Sequence, residues 1–238
     1  MYPKFRHQKA PGVTKKRAIS RQSLPEVIAN DLRERVLSGD LAEGETIRQE
    51  TLAEEYEVSR MPIREALKRL DAEGLVNLTT NRGATVTKHS LAEMGEIFDL
   101  RTLLEVDLFR RAIPLMTESD FARSAKILDQ MEESYDADDV ARWGTLNYDY
   151  HSALYSAAGR GLTNELLQRV NLQTDRYVRM NLSVMKQREP AKAEHRKLLT
   201  LAQEGQTEEA CKLLAAHIKR TKDQLLEMVA AKRDAEDL

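Results

Sequence analysis

From residue 90 to about residue 231, apolar side chains recur with the helical period and no strand signal interrupts them. This stretch constrains the fold more than any other, because amphipathic helices in series can bury their stripes only by packing on one another. Six helices are expected, over about 90–112, 118–134, 138–158, 162–184, 190–204 and 207–231. Pro114, Asp136–Asp139, Gly159–Gly161, Glu189-Pro190 and Gly205 punctuate them.

The chain ahead of this stretch reads differently. Leu24, Val27, Ile28, Leu32 and Val36 predict an amphipathic helix over 23–38, ended by Gly39-Asp40. Two shorter helices are expected at about 49–56 and 60–73, with Gly74 placed as a C-terminal glycine. Residues 75–79 and 84–87 are rich in β-branched side chains and predict two strands around the turn Asn81-Arg82-Gly83. The expected fold class is therefore mainly α: a winged helix-turn-helix at 23–88 followed by an all-α helical bundle at 90–232. Residues 1–22 read as a basic disordered tail, with Lys4, Arg6, Lys9, Lys15, Lys16, Arg17 and Arg21 and no acid among residues 1–21. It can trail along phosphate or be a solvated tail.

With 238 residues, 41% of them hydrophobic and 32% charged, the chain can bury two cores. No apolar run spans a bilayer and no signal-peptide core is visible, so no membrane partner is expected. The single cysteine, Cys211, allows no internal disulfide and suits a reducing cytoplasm; a buried small hydrophobe is its reading. Net charge is −2, and residues 22–88 hold 9 basic against 13 acidic side chains. Contact with a polyanion must then come from a few placed cations rather than a general field.

Such cations exist. Ile63, Ala66, Leu67 and Leu70 give residues 60–73 an inward face, with Ser59 at the N-cap and Pro62 in the first turn. Leu52, Ala53 and Tyr56 do the same for the preceding helix, and Val58 plugs the turn. Opposite lie Arg60, Arg64 and Lys68, spaced i, i+4, i+8 in one row. By itself the row is a solvated face; behind a helix-turn-helix and beside a wing it is placed for the major groove, where an arginine can grip guanine. Arg82 and Gly83 at the wing tip can approach phosphate or the minor groove.

Residues 46–87, and most specifically LAEEYEVSRMPIREALKRLDAEGLV, resemble the DNA-binding domain of the GntR family of bacterial regulators. The resemblance implies that Arg48, Arg60 and Arg64 contact DNA, with Arg82 and Gly83 in the wing. Glu57 departs from it, standing where the family usually has glycine in the inter-helix turn. A left-handed backbone there costs a glutamate roughly 1–2 kcal/mol.

In the helical part His151, His195 and His217 each sit on an apolar stripe, and Asn147 lies one turn before His151. Neutral imidazoles and an oxygen donor converging in a bundle core would hold a divalent metal. From spacing alone, three separate buried histidines, each hydrogen-bonded, are the favoured reading. Arg101 shares the stripe of Met94, Ile97, Leu104 and Leu108, so its guanidinium points inward. It can pair with Glu105 one turn on, or grip the carboxylate of a ligand.

The segments IFDLRTLLE (97–105), NYDYHSALYSAAG (147–159), EHRKLL (194–199) and EEACKLLAAHI (208–218) resemble the FCD ligand-sensing domain of the FadR-type GntR subgroup. Six helices match its shorter, VanR-like branch. The resemblance implies metal ligation by Asn147, His151, His195 and His217, with zinc the first expectation and nickel or another divalent ion the alternative. It also implies a small organic or sugar acid as effector, held by Arg101. Asparagine for the commoner aspartate removes one charge from that set.

The resulting expectation is a homodimeric transcriptional regulator, a repressor relieved by effector, on an inverted-repeat operator in double-stranded DNA. Two other classes compete. Three histidines with an open position resemble a catalytic metal site, so a metal-dependent enzyme fused to a DNA-binding domain is one, although no HExxH-type base accompanies them. A non-specific architectural DNA binder is the other.

Overall fold

A computed structural model describes residues 23–79, 83–137, 139–184 and 189–236. The expected basic tail (1–22) and the wing-tip residue Arg82 lie outside them.

Helix α1 (Leu24–Ser38) carries Pro25 in its first turn, where the missing N–H does no harm, and stops at Gly39 with φ +92°. Helices α2 (Gln49–Glu55) and α3 (Arg60–Ala72) are joined by a tight turn. There Val58 N donates to Ala53 O at 2.9 Å. Glu57 takes φ +54°, the left-handed turn that favours glycine, and is the non-glycine residue to do so among the described residues. Ser59 occupies the N-cap position of α3 with extended backbone, but its hydroxyl makes no capping bond. The expected cap is thus one of backbone conformation alone.

Strands β2 (Val76–Thr79) and β3 (Gly83–Val86) form the expected antiparallel wing. A third strand, β1 (Thr46–Arg48), was not expected; it pairs with the other edge of β3, giving the order β1-β3-β2. Three residues are too few to show a period, and their partner lies far along the chain. The pairing also explains Gly83: a Cβ there would stand 1.9 Å from Ile47 O, and φ is +137°. Ile28, Leu32, Ile63, Leu67, Leu70, Val76 and Val86 bury one another in the core of this unit.

Six α-helices follow among the described residues: α4 (Leu91–Ala112), α5 (Glu118–Asp136), α6 (Val140–Tyr155), α7 (Gly161–Val184), α8 (Glu189–Gln203) and α9 (Thr207–Glu236). Short 3₁₀ turns extend α4 and α6, so the expected helix over 138–158 tightens after Tyr155. A capping box starts α4: Ser90 Oγ accepts from Glu93 N at 3.2 Å, and Glu93 Oε2 accepts from Ser90 N at 2.7 Å. Met94, Phe98, Leu108, Leu128, Tyr150, Leu154, Leu198, Leu214 and Leu225 belong to a second, larger core.

Helix α7 joins the two units. Arg176 donates to Leu41 O at 3.0 Å, Tyr177 donates its hydroxyl proton to Glu43, and Arg179 donates to Glu34 Oε2 at 3.0 Å. From α9, Arg233 donates to His89 O at 2.8 Å. No helix among the described residues is long and apolar enough to cross a membrane.

Candidate DNA-reading face and metal centre

The inward side of α3 is fully buried, with Ile63, Ala66, Leu67 and Leu70 at 0% exposure. That burial fixes the rotation of the helix, so Arg60, Arg64 and Lys68 necessarily face solvent, joined by Ser59 and, from β1, Arg48. All five are exposed. Arg60 is bridged to Glu50 of α2 at 2.8 Å. Both side chains are well exposed, and a pair of that kind contributes at most about 1 kcal/mol, so it can open for a phosphate or a base.

The three histidines come from three helices: His151 from α6, His195 from α8 and His217 from α9. All are buried, and one ligating nitrogen from each lies within 4.8 Å of the others. They form one cluster, not three separate buried histidines.

Hydrogen bonds around the cluster fix which nitrogens are bare. Burial first, then the Glu105 carboxylate, pushes the Tyr155 hydroxyl well above its ordinary range, so it keeps its proton. It donates that proton to Glu105 Oε2 at 2.7 Å. Its oxygen can then only accept from His151 Nδ1, 3.2 Å away, which leaves His151 Nε2 as a lone pair. Glu194 does the same for His217. Burial opposes its ionisation, but hydrogen bonds from His217 and Arg220 outweigh burial and draw the carboxyl down to about 2. Its Oε2 accepts from His217 Nδ1 at 2.7 Å. Both ring nitrogens of His195 are buried without a hydrogen-bond partner among the described residues.

Burial, reinforced by neighbouring histidines, holds His151 and His195 well below the usual imidazole pKa. Both are neutral at pH 7, the form that ligates a metal. An unpartnered imidazole in a dry core costs free energy unless something accepts its lone pair. The donor set and the orphaned nitrogens of His195 therefore fit a divalent ion. Sequence reasoning missed Glu194 and Tyr155. Tyr155 was visible as the i+4 neighbour of His151; Glu194 adjoins His195 in the chain, and only the fold turns it toward His217.

Arg101 points inward as expected, with its side chain 12% exposed, and donates from Nε to the fully buried Glu105 Oε1 at 2.9 Å. It also lines a cavity of about 160 Å³ together with Asn147 and His151. The ion pair and the cavity position thus coexist. Asn147 is half-buried on that wall.

Residues 24–86 match the model for bacterial regulatory proteins of the gntR family, and residues 96–220, more than half the chain, match the FCD domain. The chain belongs to the GntR family. Among its relatives is BphR of Paraburkholderia xenovorans (strain LB400), named an uncharacterized HTH-type transcriptional regulator. It is 31% identical over 83% of either chain. The gluconate operon transcriptional repressor of Bacillus subtilis (strain 168) is 32% identical over 58% of this chain and 57% of its own. The solved structure of E. coli McbR/YncC shares the fold, with a TM-score of 0.77 at 20% identity over 88% of this chain and all of that one.

As a GntR protein the chain is a DNA-binding transcriptional regulator, and the enzyme alternative falls away with the regulatory character of the gntR family and of the relatives it matches. The gntR match contains Arg48, Ser59 and the α3 row, and the FCD match contains Arg101, Asn147 and all three clustered histidines.

Proposed function

We propose that this GntR regulator acts as a homodimer on an inverted-repeat operator, and that a small carboxylate effector bound beside a divalent metal sets its operator affinity. The single observation that carries the metal and effector reading is the histidine cluster. One of its members, His151, also lines the cavity that Arg101 lines. His151, His195 and His217 would hold the ion, with Asn147 as the oxygen donor; zinc suits that set, and nickel is the alternative. A bound divalent ion would supply a Lewis-acidic contact for one carboxylate oxygen.

The residues around it do the rest. Glu194 and Tyr155 orient two imidazoles, as carboxylates and hydroxyls behind metal-binding histidines do. Arg101, already held by Glu105, presents its remaining N–H donors to an acid. The cavity is near the size, about 150 Å³, that admits one benzene ring, which favours an organic or sugar acid of a few carbons over a long acyl chain. The gluconate operon named for one relative supports the same class.

On DNA, Arg60 and Arg64 reach base edges from the start of α3, while Arg48, Ser59, Lys68 and the wing residues Arg82 and Gly83 steady the backbone. The effector favours one arrangement of the helical units and thereby shifts operator affinity, with repression relieved on binding as the sign.

Thermal unfolding of metal-loaded and chelator-stripped protein, scanned against small organic and sugar acids, tests the reading. At a ligand concentration 100 times Kd, stabilisation of about 2.7 kcal/mol is expected with metal and little without it. Stabilisation that survives complete metal removal contradicts the metal-bridged site.

A further inference from the structure

The cavity does not lie inside the helical unit alone. Arg33, Glu34 and Leu37 of α1, on the DNA-reading unit, form part of its wall together with Asn147 and His151. Asp175 and Arg179 of α7 stand where the two units meet. Arg179 is 8% exposed in its side chain and makes two kinds of bond. To Asp175, one turn before it, it is bidentate: Nε and NH2 both reach Oδ2 at 3.0 Å. To Glu34 it gives a single contact, NH1 to Oε2 at 3.0 Å, across the boundary between the units.

Those two carboxylates are not equally held. Asp175 is local, doubly bonded and mostly covered, whereas the Glu34 side chain is 60% exposed and keeps water in reach. Releasing Glu34 from Arg179 therefore costs little, while releasing Asp175 strands a covered charge. Gly144 of α6 completes the device. A Cβ there would stand 2.7 Å from Arg179 Nε and 3.0 Å from its Cγ, so the absence of a side chain at 144 lets the arginine lie along the cavity wall.

The geometry points to Arg179 as a second anion subsite, which takes the far carboxylate of a small dicarboxylate by displacing Glu34. The inference rests on reading the cavity as the effector site. One end of the diacid sits at Arg101 and His151. The other exchanges with Glu34, and that exchange breaks an ion pair between the sensing unit and α1 of the reading unit. Ligand binding and domain docking then compete for one guanidinium, which supplies a direct coupling free energy between effector and DNA. A monocarboxylate of equal length fills the first subsite and leaves Glu34 in place.

The test uses the metal-loaded full chain, calorimetric titration with unbranched dicarboxylates of four to six carbons and their monocarboxylate counterparts, and operator binding with each. In the wild type, the best diacid is expected to bind at least about tenfold tighter than its monoacid, a gain typical of charge-assisted bonds to a covered guanidinium. Glu34→Gln removes the competitor. It should tighten diacid binding about fivefold or more, leave monoacid binding unchanged, and make operator affinity insensitive to the diacid. Gly144→Ala, which pushes Arg179 off the wall, should erase the preference for diacids. Equal binding of diacid and monoacid, or a Glu34→Gln variant whose operator still responds fully to diacid, overturns the second subsite while monoacid binding at Arg101 keeps the effector reading intact. Monoacid binding indifferent to Arg101→Gln, or no binding of any acid to the wild type, sinks the effector reading itself and the inference with it.

Discussion

His195 enters the core with two ring nitrogens and finds no partner for either among the described residues, although it is 1% exposed. Its neighbours are better served: His217 leans on Glu194, and His151 on Tyr155 and, through it, Glu105. These supports make imidazole orientation a property of the fold, so the proposed ion would find little ordering left to do. Glu194→Gln keeps the shape but weakens the acceptor behind His217. A 10- to 100-fold loss of metal affinity is expected, read by competition with a chelating dye. Unchanged affinity would show that Glu194 serves only its ion pair with Arg220. Glu57 illustrates a different residue-scale effect. It adopts left-handed backbone, at a cost of roughly 1–2 kcal/mol, in the turn between α2 and α3, where its side chain is exposed.

At the scale of elements, α3 is held by complete burial of Ile63, Ala66, Leu67 and Leu70. That apolar stripe, rather than any capping bond from Ser59, sets the direction in which Arg60, Arg64 and Lys68 point. The wing depends on one glycine. Gly83 pairs with Arg48 of β1 and Thr79 of β2, and a methyl group there would collide with Ile47 O. Gly83→Ala is expected to destabilise the reading unit by at least about 1–3 kcal/mol through strained φ and a broken β1–β3 pairing. A lowered urea midpoint would accompany weaker operator binding. A variant with wild-type stability would mean that the strand pairing is dispensable.

The whole molecule carries a net charge of −2, so its DNA affinity cannot come from an overall positive field. We propose that it rests on a few exposed cations around α3 and β1, whose roles would separate in a salt titration. Arg64→Ala should cost about 1–3 kcal/mol at the operator and much less on random DNA, because a guanine contact is lost. Lys68→Ala should weaken both DNAs about evenly and flatten the slope of log affinity against log salt by about 1, as loss of one phosphate contact does. Equal losses at operator and random DNA for Arg64→Ala would remove it from base reading. Also at this scale, α7 ties the helical unit to the N-terminal unit through Arg176, Tyr177 and Arg179, which places the cavity on the seam that the proposed effector response would cross.

Local sequence determined a good deal. The helical period fixed six helices after residue 90 to within a few residues, β-branched runs fixed the two wing strands, and one apolar face fixed the outward row of α3, because periodicity and turn chemistry act between near neighbours. The stripes that carry His151, His195 and His217 likewise foretold that each imidazole ring points into the bundle. What tertiary structure decided lies between distant segments: that three rings meet within 4.8 Å, that Glu194 turns to His217, that β1 closes the sheet against Gly83, and that α1 walls the cavity beside Arg179. Such contacts depend on how helices cross and which edges pair, and no local pattern encodes a distance between residues far apart in the chain.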